Sequence, residues 1–439
     1  MNAIQWSGLL SSVGGALNDP KTMRWAVAGA LTLGAALRFG WVFHSGFAVR
    51  PSEAFFEAAA FGAKGELADA YGPGTGLTAH LSPGMPLLVG AIYRWLGVGE
   101  PVAEFTLSCL SLAFIYVSFL ALNVAFERLD VASAARFGAI VVLALIPLNI
   151  SFEMKGFRHW EGALAAAGIA VYLARSLALD ARKEPPGWLD LGLLAGAGGI
   201  LFLFSPQAAL GCYGMLGWLA LRRRGWMGFV ATAAISAAPF VVISLPWALR
   251  NEAVFGQKVW TRSSFGISFA VGYHDGAVSP SDPGKLYRDR LEEVSPFLSP
   301  ETLAKMRAAG GELGWDRVLI DGTEQWIREH QVSALKITAR HVWEYYFPPR
   351  WMWYPDTGII AITEQAITWI IAAIGFIWLG AKIDGGDWRY VRRGCAASTD
   401  AALRPGSTGR SLSLPDRRAP GFPGCRRDRS RHEIRVESP

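Results

Sequence analysis

The stretch PQAALGCYGMLGWLALRRRGWMGFVATAAISAAPFVVISLPWALR, residues 206–250, decides the fold. Two apolar runs, 206–221 and 226–249, flank Arg222, Arg223 and Arg224. A helix that crosses a hydrocarbon layer takes about 20 mostly apolar residues. Short loops rich in Lys and Arg stay on the cytoplasmic side of a membrane. The three arginines therefore predict a cytoplasmic turn between two spans, and they orient both.

Six more runs of the same character lie at 23–43, 102–126, 134–150, 160–179, 189–204 and 358–380. A shorter run, 86–97, reads as a re-entrant or interface helix. Arg175, Arg182 and Lys183 mark a second cytoplasmic loop, Arg128 and Arg136 a third, and Lys21 with Arg24 precedes the first helix. Alternating from these markers puts 44–101, 151–159 and 250–357 together on the extracytoplasmic side. The expected fold is an all-α polytopic membrane protein of about eight transmembrane helices, with a mainly helical extracytoplasmic domain and a disordered tail. Its parts are a transmembrane core at 1–249 with a first extracytoplasmic loop at 44–101, a loop domain at 250–357, a last transmembrane helix at 358–384 and a basic tail at 385–439.

Composition agrees. Of 439 residues, 51% are hydrophobic and 18% charged, too oily for an ordinary soluble enzyme of this length. The 18 tryptophans suit membrane–water interfaces. Cys109, Cys212, Cys395 and Cys425 lie too far apart for a zinc motif or a disulfide framework. The first 20 residues lack a basic start and a cleavage site, so the first apolar helix is expected to direct insertion itself. The net charge of +6 is local: 12 Arg and 6 Asp or Glu fall in 385–439, leaving 30 of each sign elsewhere. The main body is thus neutral, and nucleic acid is not an expected partner. Past Arg393 apolar periodicity stops and Arg, Pro, Gly and Ser take over, a composition that cannot bury a core. Such an abrupt switch fits a shifted or truncated reading frame in a GC-rich gene, and it fits a natural basic tail beside anionic lipid.

Four stretches on the extracytoplasmic side carry chemistry. The first, AVRPSEAFFEAAA at 48–60, follows the first span and sets Glu53 and Glu57 four residues apart on one helix face. A partly desolvated carboxylate there suits general-base work on a hydroxyl, while an amphipathic interface helix gives the same pattern. The second, 71–97, is a Gly- and Pro-punctuated structured loop holding His80. His80 is a candidate for phosphate binding or proton transfer, or an ordinary loop histidine with a backbone partner. In the third, 151–176, Glu153, Lys155, Arg158, His159 and Glu161 crowd together. Guanidinium offers phosphate a two-pronged contact, and Lys155, Arg158 and His159 become substrate-binding candidates; snorkelling at a helix end is the plain alternative. In the fourth, 245–277, Arg250 and Arg262 stand on the side where cations are uncommon. The domain at 250–357 is mostly helical, with a break at Gly310-Gly311, and ends in the aromatic belt WEYYFPPRWMWYP at 343–355. No Walker loop, GxGxxG after a strand, HExxH or GxSxG is present.

Taken in order, these stretches resemble the family 39-type glycosyltransferases with the GT-C fold, which include the protein mannosyltransferases and the lipid A aminoarabinose transferases. The resemblance rests on the acidic residues after the first span, the run Pro83–Gly97 with Tyr93 and Arg94, PWALRNEAVFG at 246–256 and GELGWDRVLIDGTEQWIREH at 311–330. It covers roughly 23–380. It implies a polyprenyl-phosphate-linked sugar as donor and a glycan, lipid or protein hydroxyl as acceptor. It also implies an active site on the extracytoplasmic face of the inner membrane, amid membrane lipid. Glu53, with Glu57 second, is implied as the base. Arg158 and Arg250 would neutralise the leaving phosphate, with His80 as a further contact. No nucleotide cofactor is implied, no residue is assigned to a metal, and a divalent-metal requirement is left open. The chain departs from the family in having Ser52-Glu53 where Asp-Glu is common, and in lacking further C-terminal spans. A transporter or flippase of lipid-linked saccharide, or an inactive family member, is the rival expectation. Few mid-span charges and no internal repeat favour the enzyme over the transporter.

Overall fold

A computed structural model describes residues 19–49, 51–146, 149–353 and 358–384. Arg50 and the expected basic tail at 385–439, with Cys395 and Cys425, lie outside the described residues. Helices dominate the chain, and no strand occurs among the described residues. The helices are α1 (Pro20–Ser45), α2 (Glu53–Lys64), α3 (Gly84–Leu96), α4 (Pro101–Arg128), α5 (Ser133–Leu145), α6 (Ile150–Met154), α7 (Gly162–Asp180) and α8 (Trp188–Phe204). After them come α9 (Pro206–Phe255), α10 (Phe265–Gly272), α11 (Pro283–Val294), α12 (Pro300–Ala308), α13 (Glu312–Glu329), α14 (Gln331–Tyr346) and α15 (Gly358–Asp384).

Four of these, α1, α4, α7 and α9, are long and apolar enough to cross a membrane. A fifth span results if α5 and the segment Ile150–Arg158, bent from it by 77°, count as one. Trp188–Phe204 and Ile362–Phe376 are apolar but shorter. The long helices turn most of their apolar residues outward, with between 17% and 39% of each apolar window buried. On α1, Trp25, Leu33, Leu37 and Phe43 are exposed. A water-soluble monomer rarely leaves so much contiguous apolar surface uncovered. The helices are compatible with an integral membrane protein. Within α9, Gly225 takes φ 71° and ψ −170° directly after Arg222–Arg224, so the two apolar runs of 206–250 are separate helical stretches meeting at the arginines. Only glycine takes that backbone conformation readily.

Packing pairs α8 with α9, α4 with α7 and α1 with α5. One core unites Leu191, Leu194, Cys212, Leu216 and Leu219; another unites Val27, Ile115, Phe119 and Ile140. The fully buried Arg38 of α1 stitches the bend between α5 and α6. Its Nε meets Glu153 at 2.7 Å, Nη2 donates to the Leu143 carbonyl at 3.1 Å, and Nη1 donates to the carbonyls of Ala144 and Gly34. Those α5 carbonyls lie at a helix end, where the chain supplies no further amides. Arg38→Met is expected to lower stability by about 3–5 kcal/mol, because it leaves the largely buried Glu153 without its partner and strands the carbonyls that Arg38 serves. Thermal unfolding in detergent measures this, and Glu153→Met in the same chain should recover most of the loss.

Between residues 256 and 346 the chain is mostly helical. α10 packs on α13, and Ile267, Ala270, Val294 and Leu319 form a core with Trp315. Gly310 and Gly311 separate α12 from α13, where the sequence predicts a break. The aromatic belt packs on α15: Trp343 stacks on Phe347 at 4.3 Å, and Phe347 and Tyr346 both reach Phe376.

Candidate functional site

Ser52 starts α2: its Oγ accepts from the Phe55 amide at 3.2 Å, the standard satisfaction of a first-turn donor. Glu53 is the first helical residue and stays half-buried. One turn on, Glu57 shares a face with Ala54, Ala58 and Gly62, all buried. That face lies against α3 at backbone distance. A Cβ on Gly62 would stand 2.8 Å from the Tyr93 Cβ, and one on Gly90 would stand 2.8 Å from the Ala58 carbonyl. The close approach draws Glu57 fully inside, where neither carboxyl oxygen makes a well-aligned hydrogen bond and only the Leu81 amide and Arg250 lie near enough to favour its charge.

The loop between α2 and α3 is the structured segment that its Gly and Pro content predicts. Asp69 ties it, accepting from the Gly74 and Gly76 amides at 3.0 and 3.1 Å and from Lys64 at 2.9 Å. Thr78 and Ala79 then meet the start of α13. Glu312 accepts from Thr78 Oγ1 at 2.5 Å, from the Ala79 amide at 2.9 Å and from Ser263 Oγ. Arg250, near the end of α9, donates to the carbonyls of Thr78 at 2.6 Å and Leu67 at 2.8 Å. His80 Nδ1 lies 3.0 Å from the Tyr71 hydroxyl. Four stretches distant in sequence thus meet at Glu57, His80, Arg250 and Glu312.

Electrostatics follow from burial. Loss of water pushes Glu57 well above the usual carboxylate range, and the neighbouring Glu312 charge adds to that, while the Leu81 amide and Arg250 oppose it. Glu312 is raised chiefly by burial despite its three donors, and Glu53 is raised by burial. Burial and nearby Arg262 push His80 down to about 3. His80 is therefore neutral near pH 7. Histidine-selective NMR should show no titration of its ring between about pH 5 and 8, in contrast to an unperturbed imidazole. Because the folded value lies below the unfolded one, His80 withdraws stability as pH falls through about 6.5 toward 3.

A cavity of about 550 Å³ opens beside this network, bounded by Tyr71, Thr78, Phe255, Arg307, Glu312 and Arg317. That volume is in the range of small-molecule sites, roughly 300–1,000 Å³.

The other candidates assemble separately. Arg158 Nη1 pairs with Glu104 at 3.2 Å, and its Nε reaches Ser108 Oγ at 2.8 Å and the Met154 carbonyl at 2.9 Å. Tyr93 donates to Glu104 at 2.5 Å, and His159 Nε2 lies 2.7 Å from the Tyr93 hydroxyl. Arg158 and His159 are thus engaged by protein, though Arg158 Nη2 is buried without a partner. Phe55, on the same helix as Glu57, packs edge-on against this second assembly, 5.6 Å from His159 and 6.0 Å from Tyr93. Lys155 donates to the Ser45 carbonyl at 2.9 Å and sits over Trp41.

Glu312 and Tyr71 were not among the sequence candidates. Glu312 sits in a first helical turn after a Gly-Gly break, where an acid is expected on helix-dipole grounds alone. Glu104 was hidden in the same way at the start of α4. Among the described residues, no three His, Cys, Asp or Glu side chains form a metal-binding group. No protein-family model, curated protein or solved structure matches the chain.

Proposed function

We propose that the chain is an inner-membrane glycosyltransferase of the family 39 type, with the GT-C fold. It moves a sugar from a polyprenyl-phosphate carrier to an acceptor hydroxyl at the extracytoplasmic face. One observation carries this reading: Glu57, one turn after Glu53 on the helix that follows the first span, meets Arg250, the loop of His80 and a third carboxylate, Glu312, beside an open cavity. An eight-span topology is supported by eight helical stretches: α1, α4, α5, α7, α8, the two parts of α9 on either side of Gly225, and α15. The partners of this reading are membrane lipid, the lipid-linked sugar and a glycan, lipid or protein acceptor.

The chemistry proceeds as a single displacement. Glu53, accessible and raised by burial, takes the proton of the acceptor hydroxyl. The acceptor oxygen bonds to the anomeric carbon. The bond from that carbon to the carrier phosphate breaks, and its electron pair stays on the phosphate oxygen. Guanidinium groups aimed at the leaving oxygen stabilise the growing charge. Arg250 beside Thr78 and Glu312, Arg262 near His80, and Arg158 through its unpartnered Nη2 are the candidates.

The Arg38–Glu153 pair favours a transporter or flippase, because charges inside spans commonly mark transport paths. Each nitrogen of the Arg38 guanidinium is already bonded to protein, however, which supports a structural clip. Ser52, where the family commonly has Asp, keeps an inactive member in view. Its capping bond is one that Asp makes equally well.

The test is reconstitution of the protein into vesicles with a panel of polyprenyl-phosphate sugars. Release of polyprenyl phosphate with an acceptor extract is the expected result. Movement of the intact lipid-linked sugar across the bilayer without release would replace the transferase with a transporter.

A further inference from the structure

A second cavity, of about 300 Å³, lies between α10, α11 and α13. Its lining includes none of the residues of the Glu57–Glu312 assembly. Tyr273 and His274 come from the end of α10, Arg290 from α11, and Gly322, Thr323 and Trp326 from one face of α13. This volume is at the lower end for ligand sites, roughly 300–1,000 Å³, and suits one or two sugar-sized rings.

Both aromatic rings are fixed from behind. The Tyr273 hydroxyl meets Thr338 Oγ1 at 2.9 Å. Trp326 Nε1 donates to Asp275 at 2.7 Å, and His330 stacks on the indole at 4.9 Å. Rings already locked in place lose little freedom when a ligand settles on them. Gly322 is an independent observation. A glycine inside a helix weakens it by about 1 kcal/mol relative to alanine. Close approach of a neighbour commonly explains such a glycine, but here a Cβ would meet nothing within 4 Å. Gly322 is exposed and lies in the cavity wall, so that wall is open at this point and a side chain added there would project into the mouth of the cavity.

The charges in the walls are balanced. Arg290 pairs with Glu293 at 2.8 Å and donates to the Ala270 carbonyl at 3.2 Å. Burial lowers His274, which keeps the imidazole neutral. Thr323 Oγ1 turns back to the Leu319 carbonyl at 2.7 Å. Arg290 is the one charged side chain in the lining, and Glu293 beside it offsets that charge, so an ionic ligand finds little net counter-charge here. A neutral polyol finds aromatic faces for its C–H surfaces, with an imidazole and a guanidinium edge for its hydroxyls.

We propose that this cavity is a glycan-binding site for a neutral saccharide, apart from the reaction centre. It stands whether or not the chain transfers sugar. The experiment is saturation-transfer NMR on the full chain in detergent, with maltose, cellobiose, mannobiose and chitobiose as probes, and glucuronic acid and glucosamine as charged controls. Wild type is expected to bind at least one neutral disaccharide and neither control. Gly322→Leu sets a side chain at the cavity mouth and should weaken or abolish the signal while holding or raising the melting temperature, since leucine favours the helix. Trp326→Ala should weaken binding by about 10-fold or more, and it serves as the second variant if Gly322→Leu misfolds. Unchanged binding in a folded variant, equal binding of the controls, or no signal from any neutral probe overturns the proposal. Polyprenyl phosphate release is scored on the same preparation. A chain that transfers sugar yet binds none of these probes sinks only this site, and the reverse outcome sinks only the transferase reading.

Discussion

Glu53→Gln is expected to lower kcat for sugar transfer by about 10²–10⁴-fold, the usual contribution of a positioned general base. Glutamine keeps the size and the helix start but cannot accept a proton. The KM for the lipid-linked donor should change little, because Glu53 acts on the acceptor hydroxyl. Burial raises Glu53, so wild-type activity should fall as pH drops through a value above 4.5, where the base becomes protonated. Glu53→Asp should retain partial activity and move that limb, whereas Glu53→Gln should remove it. The measurement is initial-rate release of polyprenyl phosphate across pH in vesicles, with insertion checked by protease protection. Full activity in Glu53→Gln removes Glu53 from the mechanism. If Glu57→Gln alone abolishes transfer, the base is one turn further into the protein.

The apolar helices were legible because their pattern is local. The run at 206–250 declares itself through two oily segments around Arg222–Arg224, and the fold turns there at Gly225. The acid pair after α1 was legible for the same reason, since Glu53 and Glu57 lie one helical turn apart. Its two environments were not. Whether a carboxylate is half-exposed like Glu53 or sealed like Glu57 depends on the fit of Gly62 against Tyr93, a contact across about 30 residues of chain. Glu312 was harder still. It reaches the loop of 66–83 from more than 230 positions away and reads in sequence as an ordinary first-turn acid. Arg158 shows the converse. Its charge and its place in the chain suggested a free phosphate ligand, and only the fold reveals Glu104 against it.

Glu312→Ala is expected to lower stability by about 3–5 kcal/mol, a large part of the roughly 5–15 kcal/mol that holds a folded domain. It strands Thr78 Oγ1, the Ala79 amide and Ser263 Oγ without an acceptor, and takes a counter-charge from beside Arg250. The α2–α3 loop and α13 should then separate. Glu57→Met should do the opposite. The Glu57 carboxyl is buried without a well-aligned hydrogen bond, with only the Leu81 amide and Arg250 nearby, so an apolar chain of similar volume relieves a penalty of about 1–3 kcal/mol. The difference should depend on pH. Glu57 and Glu312 both have folded values above the unfolded value of 4.5, so the folded state holds protons that the unfolded chain releases above that pH. Their contribution is complete below 4.5 and is lost as pH rises through the raised values. Glu57→Met should therefore gain on wild type as pH increases from about 5 to 9, and match it most closely at the acid end. Unfolding midpoints of the three proteins across that range decide the matter. If Glu57→Met loses as much as Glu312→Ala, Glu57 has a partner in the folded protein, and the two carboxyls belong to one structural clasp.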